Sequence, residues 1–317
     1  MTAANWQSIV VALRDPSARK QVALKKAVRI AKNTGAKLTL FHAFSRPLMV
    51  PPEAMPLDPD AILRDVAKAR RAELLALAKP LRKAGISVRC EVVWDFPPAH
   101  AIVRWVRANK PDLVVAESHR HSRIARWFLA NSDWDLIREC PCPVWFVKQE
   151  RLPARPLILT AVDPSHAHAK PSGLDDRLLR AAGAVKDQLG GRVVIVHVQD
   201  TGGLGAPTVL AHMANARALV VASEAATEAV DRLAKRHRVA AANEIVRTGV
   251  PAQAIAGTAK EMKADLLVMG AVSRSGLSHV HIGNTAEAVI DDVNCDVLIV
   301  KPRGFKSTVP RKAPRLA

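Results

Sequence analysis

Several things are scarce in this chain of 317 residues, and each scarcity excludes something. Four cysteines, Cys90, Cys140, Cys142 and Cys295, are too few and too scattered for a disulfide framework. No apolar run approaches the ~20 residues that a membrane-spanning helix requires, so no membrane association is expected. The start, Met1-Thr2-Ala3-Ala4-Asn5-Trp6, lacks the basic-then-apolar order of a secretory signal. No Walker lysine, Ser-His-Asp arrangement or pair of catalytic carboxylates can be assembled, so the expectation is a binding protein and not an enzyme. The location expected from these absences is cytoplasmic.

What is present is a globular composition, 49% hydrophobic, with 47 Lys and Arg against 29 Asp and Glu. The length suggests about two domains of roughly 150 residues. The formal charge of +18 is unevenly spread. Residues 1–150 carry net +11, residues 151–300 net +1, and residues 301–317 six basic groups and no acid. All six tryptophans (Trp6, Trp94, Trp105, Trp127, Trp134, Trp145) also precede residue 150. The basic first half and the tail are the parts that would meet a nucleic acid, through contacts that weaken steeply with salt.

The chain repeats itself, which has to be settled before any fold is assigned. Asp15-Pro16-Ser17 and Asp163-Pro164-Ser165 each follow an apolar run. Pro111-Asp112-Leu113-Val114-Val115-Ala116 corresponds to Ala264-Asp265-Leu266-Leu267-Val268-Met269. Cys142-Pro143-Val144-Trp145-Phe146-Val147-Lys148 corresponds to Cys295-Asp296-Val297-Leu298-Ile299-Val300-Lys301. Pattern predicts strands over 8–13, 37–43, 87–93, 111–116 and 143–148, then over 156–162, 192–198, 242–247, 264–269 and 296–300. Helices are predicted over 17–33, 60–84, 98–109 and 127–139, then over 174–189, 216–236, 251–262 and 284–292. Near-continuous apolar strands alternating with helices imply α/β architecture: two tandem doubly wound domains, each a five-stranded, mostly parallel sheet with helices on both faces. The domains expected are 1–150, 151–303 and a basic flexible tail, 304–317. The last strand of each half is so apolar that the two edges are expected to pair as an intrachain pseudo-dimer, and a homodimer of the whole chain is a further candidate assembly.

Ligands of such sheets sit beyond the carboxyl ends of the strands, at the switch in strand order. Two segments near those ends break the pattern: Ser45–Asp60 with its five prolines, and Asp200–Ala216 with Gly202, Gly203 and Gly205 followed by Val209-Leu210-Ala211-His212-Met213. Either could cover a pocket for a hydrophobic ligand. A sharper signal follows the fourth strand of the second half. Met269-Gly270-Ala271-Val272-Ser273-Arg274-Ser275-Gly276 leads to Gly283-Asn284-Thr285 at the start of a helix. Glycines let a backbone approach an anion closely, and a helix N-terminus offers free N–H groups and a positive dipole end. Asn284 is a good N-cap.

The Asp after the first strand, the strand order, the Met-Gly start and the closing Gly before a helix together resemble the universal stress protein family; the resemblance covers nearly the whole chain, once per half, and so points to the tandem type. That resemblance implies a stress-response regulatory protein whose second domain binds a small-molecule ligand, ATP with Mg in the nucleotide-binding members. It implies that Asp163 contacts the ribose or adenine side, that Val198 and Met269 line the adenine pocket, and that Gly270, Ser273, Gly283, Asn284 and Thr285 hold the phosphates. Ser273 stands where those members have their second loop glycine, and Asn284 where they have a hydroxyl residue. The first half departs further: Glu117, Arg120 and Ala130 replace Gly270, Ser273 and Gly283. A carboxylate at Glu117 would repel phosphate, so no nucleotide site of the family type is expected there, although Arg120, Arg123 and Arg126 could hold an anion.

Three His-x-His pairs complete the candidates. Two of them, His166/His168 and His279/His281, could form a divalent-metal site if the loops of the second half converge. Three readings are therefore carried: the stress-response ligand-binding protein that the resemblance implies, with a weak ATP hydrolysis left open; a nucleic-acid-associated protein using the first half and tail; and a sensor of a hydrophobic ligand or metal.

Overall fold

A computed structural model describes residues 6–45, 59–118, 132–164, 173–200, 209–271 and 284–313. The described residues divide into two units: 6–150 together with 305–313, and 151–304. In the first unit the order is β1 (Ser8–Ala12), α1 (Val22–Thr34), β2 (Lys37–Phe44), α2 (Pro59–Lys83), β3 (Val88–Trp94), α3 (Pro98–Asn109), β4 (Leu113–Glu117), α4 (Ser132–Glu139) and β5 (Val144–Val147). In the second it is β6 (Leu157–Val162), α5 (Leu174–Leu189), β7 (Arg192–Asp200), α6 (Val209–His237), β8 (Glu244–Gly249), α7 (Pro251–Glu261), β9 (Leu266–Gly270), α8 (Asn284–Asp292) and β10 (Asp296–Val300).

Each unit holds five strands in the same order. In the first it is β3-β2-β1-β4-β5, and in the second β8-β7-β6-β9-β10. The pairs within each unit are parallel. The strands β1, β4, β6 and β9 form the middle of each sheet, and their apolar side chains are almost wholly buried, as expected of a sheet covered on both faces. Each such Val, Ile or Leu contributes about 1.5–3 kcal/mol. The direction of winding reverses between β1 and β4, and again between β6 and β9.

An aspartate at the start of the fourth strand fastens each repeat. One carboxylate oxygen of Asp112 accepts from the N–H groups of Gln7 and Ser8 at 2.8 and 2.9 Å, and Asp265 accepts from Leu157 N–H at 2.8 Å. The chain entering the first strand is thereby tied to the fourth. Proline opens the third helix of both repeats, at Pro98 and Pro251, where its missing N–H costs nothing.

Three local readings change. Helix α1 starts at Val22 and not at residue 17. The Asp15 carboxylate accepts from both the N–H and the hydroxyl of Ser17 (3.0 and 2.6 Å), closing a turn that resembles a helix cap in sequence. The Gln21 amide then donates to the carbonyls of Asp15, Pro16 and Ala18, which holds that turn outside the helix. Helix α6 starts at Val209, so Val209–Met213 begin a helix and do not form an irregular cover. In the first unit, β1 runs one residue further relative to its neighbours than the paired Asp-Pro-Ser motifs suggest. The buried His42 ring nitrogen bonds the Leu13 carbonyl (2.8 Å), and the buried His197 bonds the Val162 carbonyl (3.1 Å). These equivalent rings place Asp163 one residue past its strand partner and Asp15 two past.

The segment expected to be a flexible tail is docked on the first unit from Phe305 onward. Glu139, at the end of α4, accepts from Thr308 N–H (2.6 Å), Thr308 hydroxyl (2.6 Å) and Ser307 hydroxyl (2.8 Å). Arg104 and Arg107 of α3 donate to the carbonyls of Pro310 and Val309, and the Val309 side chain is buried. Burial pushes the Glu139 carboxyl up, but the hydrogen bonds from the tail outweigh it and hold the group below its ordinary pKa. Its stabilising effect is therefore complete above the ordinary carboxylate range and is lost as pH falls through the lowered value. Glu139→Ala is expected to speed hydrogen exchange at the Thr308 amide roughly 10- to 100-fold at neutral pH. The unaltered chain should show the same acceleration only in acid.

Candidate functional site

The crevice of the second repeat opens between β6 and β9, where the winding reverses. Four of the expected site residues stand around it on three neighbouring strands. Asp163 follows β6; Met269 and Gly270 end β9; Val198 lies near the end of β7. Met269 and Val198 are buried, while the Asp163 side chain retains 19% of its exposure. The Asp163 carboxylate stands 4.0 Å from Nδ1 of His197. Since that nitrogen bonds the Val162 carbonyl, which can only accept, it carries a hydrogen. The Asp163 N–H donates to the Asp175 carboxylate (3.1 Å) in the first turn of α5. Asp163 is thus positioned through its backbone, and its carboxylate remains at the rim of the crevice.

Gly270 has a reason of its own to be glycine. A Cβ there would stand 2.9 Å from Cδ2 of Leu174, the buried first residue of α5. The space that a side chain would take is filled by the leucine. Beside it, the buried ammonium of Lys301 donates to the Ala271 carbonyl (3.1 Å), and the guanidinium Nε of Arg177 donates to the Lys301 carbonyl (2.9 Å). Burial, with the neighbouring charges of Arg180 and Arg303, lowers the Arg177 pKa from its ordinary value. Two cations therefore underlie the entry to the glycine loop. The sequence contained a signal for one of them: Lys148 and Lys301 hold equivalent positions after the last strand of each half.

The backbone of Asn284 opens α8, and Thr285 is half-buried in its first turn. Ser273 and Gly283 lie outside the described residues, as do His166, His168, His279 and His281. Among the described residues, no cluster of three or more His, Cys, Asp or Glu could hold a metal ion.

In the first repeat the corresponding crevice lies between β1 and β4. The Glu117 carboxylate accepts from the N–H groups of Val22 and Ala23 at 2.7 and 3.2 Å. A side chain from the end of β4 thereby caps α1, satisfying two of its first N–H groups. The sequence suggested that Glu117 excludes phosphate by repulsion; the geometry adds that the carboxylate is engaged in capping α1. Arg120, Arg123 and Arg126 lie outside the described residues. The tryptophans of this repeat serve packing where they are best placed: Trp6 meets Trp145 edge-on (6.5 Å between centroids), and Trp105 meets Phe41 (6.0 Å). The basic side chains Lys306, Arg311 and Lys312 of the docked end remain exposed. Among the described residues no helix is long and apolar enough to cross a membrane.

Comparison with known proteins places this geometry. The pattern of the universal stress protein family matches residues 5–148 and again 158–301. Universal stress protein E of Photorhabdus laumondii is 28% identical over 321 residues, covering 96% of this chain and 98% of the relative. The protein of the same name from Escherichia coli K12 is 28% identical, covering 96% and 97%. A crystal structure of a candidate universal stress protein from Pseudomonas aeruginosa UCBPP-PA14 superposes with a TM-score of 0.69 at 26% identity, over 94% of each chain.

Proposed function

Because the chain belongs to the universal stress protein family, once in each repeat, we propose that it is a stress-response regulatory protein that acts by binding a small ligand in its second repeat. The ligand proposed is an adenine nucleotide, ATP with Mg. The observation that carries this reading is the meeting of Asp163 and the side-chain-free Gly270 across the switch between β6 and β9, with a buried apolar wall of Val198 and Met269. A carboxylate at the rim suits ribose hydroxyls, and an apolar wall suits a base. Lys301 and Arg177 under the loop, and the start of α8 beyond it, supply the positive field that phosphates need. In this reading Ser273, Gly283, Asn284 and Thr285 complete the phosphate cradle. The role is that of a sensor, with binding and not turnover as its output, in the cytoplasm.

Isothermal titration with Mg-ATP tests the proposal. The unaltered chain should release or absorb heat with a single site, and Asp163→Ala should weaken binding roughly 10- to 100-fold through the loss of a charge-assisted hydrogen bond. Absence of any heat from the unaltered chain, or an Asp163→Ala variant that binds equally well, would remove the nucleotide from the proposal.

A further inference from the structure

A second concavity lies in the same repeat, at the other end of its sheet. It encloses about 580 Å³ between the C-terminal half of α5, the start of β7 and the turn that follows α6. Its lining is cationic: Arg180 and Lys186 from α5, Arg192 from β7, and Arg236, His237 and Arg238 at the end of α6. Arg192 opens β7 and Val198 lies six residues on, so this concavity is roughly 20 Å from the crevice that holds Asp163.

Ordinary surface chemistry explains only part of this charge. Basic residues suit the last turn of a helix, which accounts for Lys186, Arg236 and His237. Asp176 compensates two of these, bonding His237 Nε2 at 2.7 Å and Arg236 at 3.2 Å. Arg180, Lys186, Arg192 and Arg238 have no carboxylate within 4.0 Å among the described residues, and one acid, Asp187, lines the concavity with them. About three positive charges are left uncompensated in a repeat whose net charge is close to zero.

The rim is also built, not merely decorated. Gly191 sets the turn between α5 and β7 at φ +92°, and a Cβ there would meet the Pro156 carbonyl oxygen at 2.1 Å. Only glycine fits, so the step from Lys186 to Arg192 has one course. Across the concavity Arg238 itself adopts φ +57°, a conformation that an L side chain enters at a cost.

We propose that this concavity is a binding site for a compact oligophosphate anion, using Arg180, Lys186, Arg192 and Arg238 as its ligands. Guanidinium groups bind phosphate through paired N–H donors, and four cations from three elements can surround a short phosphate chain in a volume typical of small-molecule sites. A nucleic-acid backbone would require a basic track leading out of the concavity, and the near-neutral charge of this repeat provides none. The site is independent of the proposed nucleotide crevice.

The test is titration of the full chain with inorganic tripolyphosphate at low and at high salt, beside a single-stranded 20-nucleotide DNA. Micromolar tripolyphosphate binding is expected, weakening with salt. Arg180→Gln/Arg238→Gln should weaken it roughly tenfold or more, as should the independent pair Lys186→Gln/Arg192→Gln. Loss of binding in both double variants, whose residues lie away from the crevice, separates this site from it. No binding at low salt, or binding by either double variant as tight as by the unaltered chain, overturns the proposal. So does tighter binding of the DNA that is lost in the same double variants, which would assign the concavity to a nucleic-acid backbone.

Discussion

Replacing Asp95 by alanine is expected to destabilise the first repeat by about 3–5 kcal/mol. Asp95 follows β3, is 1% exposed, and binds Arg104 of α3 through both Nε (2.9 Å) and a terminal guanidinium nitrogen. Its other oxygen accepts from the Phe96 N–H at 2.8 Å. Arg104 is nearly as enclosed, with 10% of its side chain exposed. Removing the carboxylate leaves a buried guanidinium whose one remaining partner among the described residues is the Pro310 carbonyl, at 3.2 Å. The penalty comes from that stranded charge more than from the lost attraction. Thermal unfolding should therefore show the first transition lowered by roughly 10 °C. Asp95→Ala/Arg104→Met removes both charges and should cost less than the single change. A single change costing under about 1 kcal/mol would show that water reaches the pair and that α3 is not anchored this way.

The second large effect is expected of Gly270→Glu, which gives the second repeat the residue that the first has at Glu117. In the first repeat the glutamate reaches the Val22 and Ala23 N–H groups without obstruction. In the second, Leu174 lies where the new Cβ would stand, 2.9 Å from its Cδ2. Forcing both into one place costs about 1–3 kcal/mol. The new carboxylate would also face any bound phosphate, and like charges at about 4 Å in a partly enclosed crevice repel by up to ~4 kcal/mol. On the nucleotide reading, Mg-ATP affinity should fall roughly 100-fold. Leu174→Ala/Gly270→Glu separates the two causes: stability should partly return while binding does not. If the double variant regains binding, sterics and not charge excluded the ligand.

This contrast shows how far residue type alone can be read. The α/β alternation was legible because buried parallel strands such as Val144–Val147 and Val297–Val300 consist of little but apolar residues. The helices over 98–109, 174–189 and 284–292 begin and end where their prolines, glycines and capping residues indicate. Helix α1 was misread at its start because Asp15-Pro16-Ser17 has the composition of a cap; which N–H groups its carboxylate serves depends on the Gln21 side chain, which no periodicity reports. The start of α6 was hidden because an apolar run such as Val209–Met213 fits a pocket cover as well as a helix.

At the site, sequence named Asp163, Val198, Met269 and Gly270, and these do stand on adjacent strand ends. It did not reveal Leu174, Asp175 or Arg177, which lie on a helix that bears no motif and act only through what the sheet places beside them. The end of the chain was misjudged for a related reason. Its Pro, Lys and Arg content describes a solvated segment, whereas three consecutive residues, Ser307, Thr308 and Val309, supply the attachment.

That attachment makes the first unit discontinuous in sequence. Residues 305–309 complete it, yet they are synthesised only after the whole of the second repeat. During translation, therefore, Glu139, Arg104 and Arg107 must wait without the groups of Ser307–Pro310 that they bind, Arg104 holding Asp95 alone, while some 150 further residues emerge. The repeat that begins first is finished last. A fusion or truncation placed between Gly304 and Val309 would consequently register as a defect in the N-terminal half of the protein, far along the chain from where it was made.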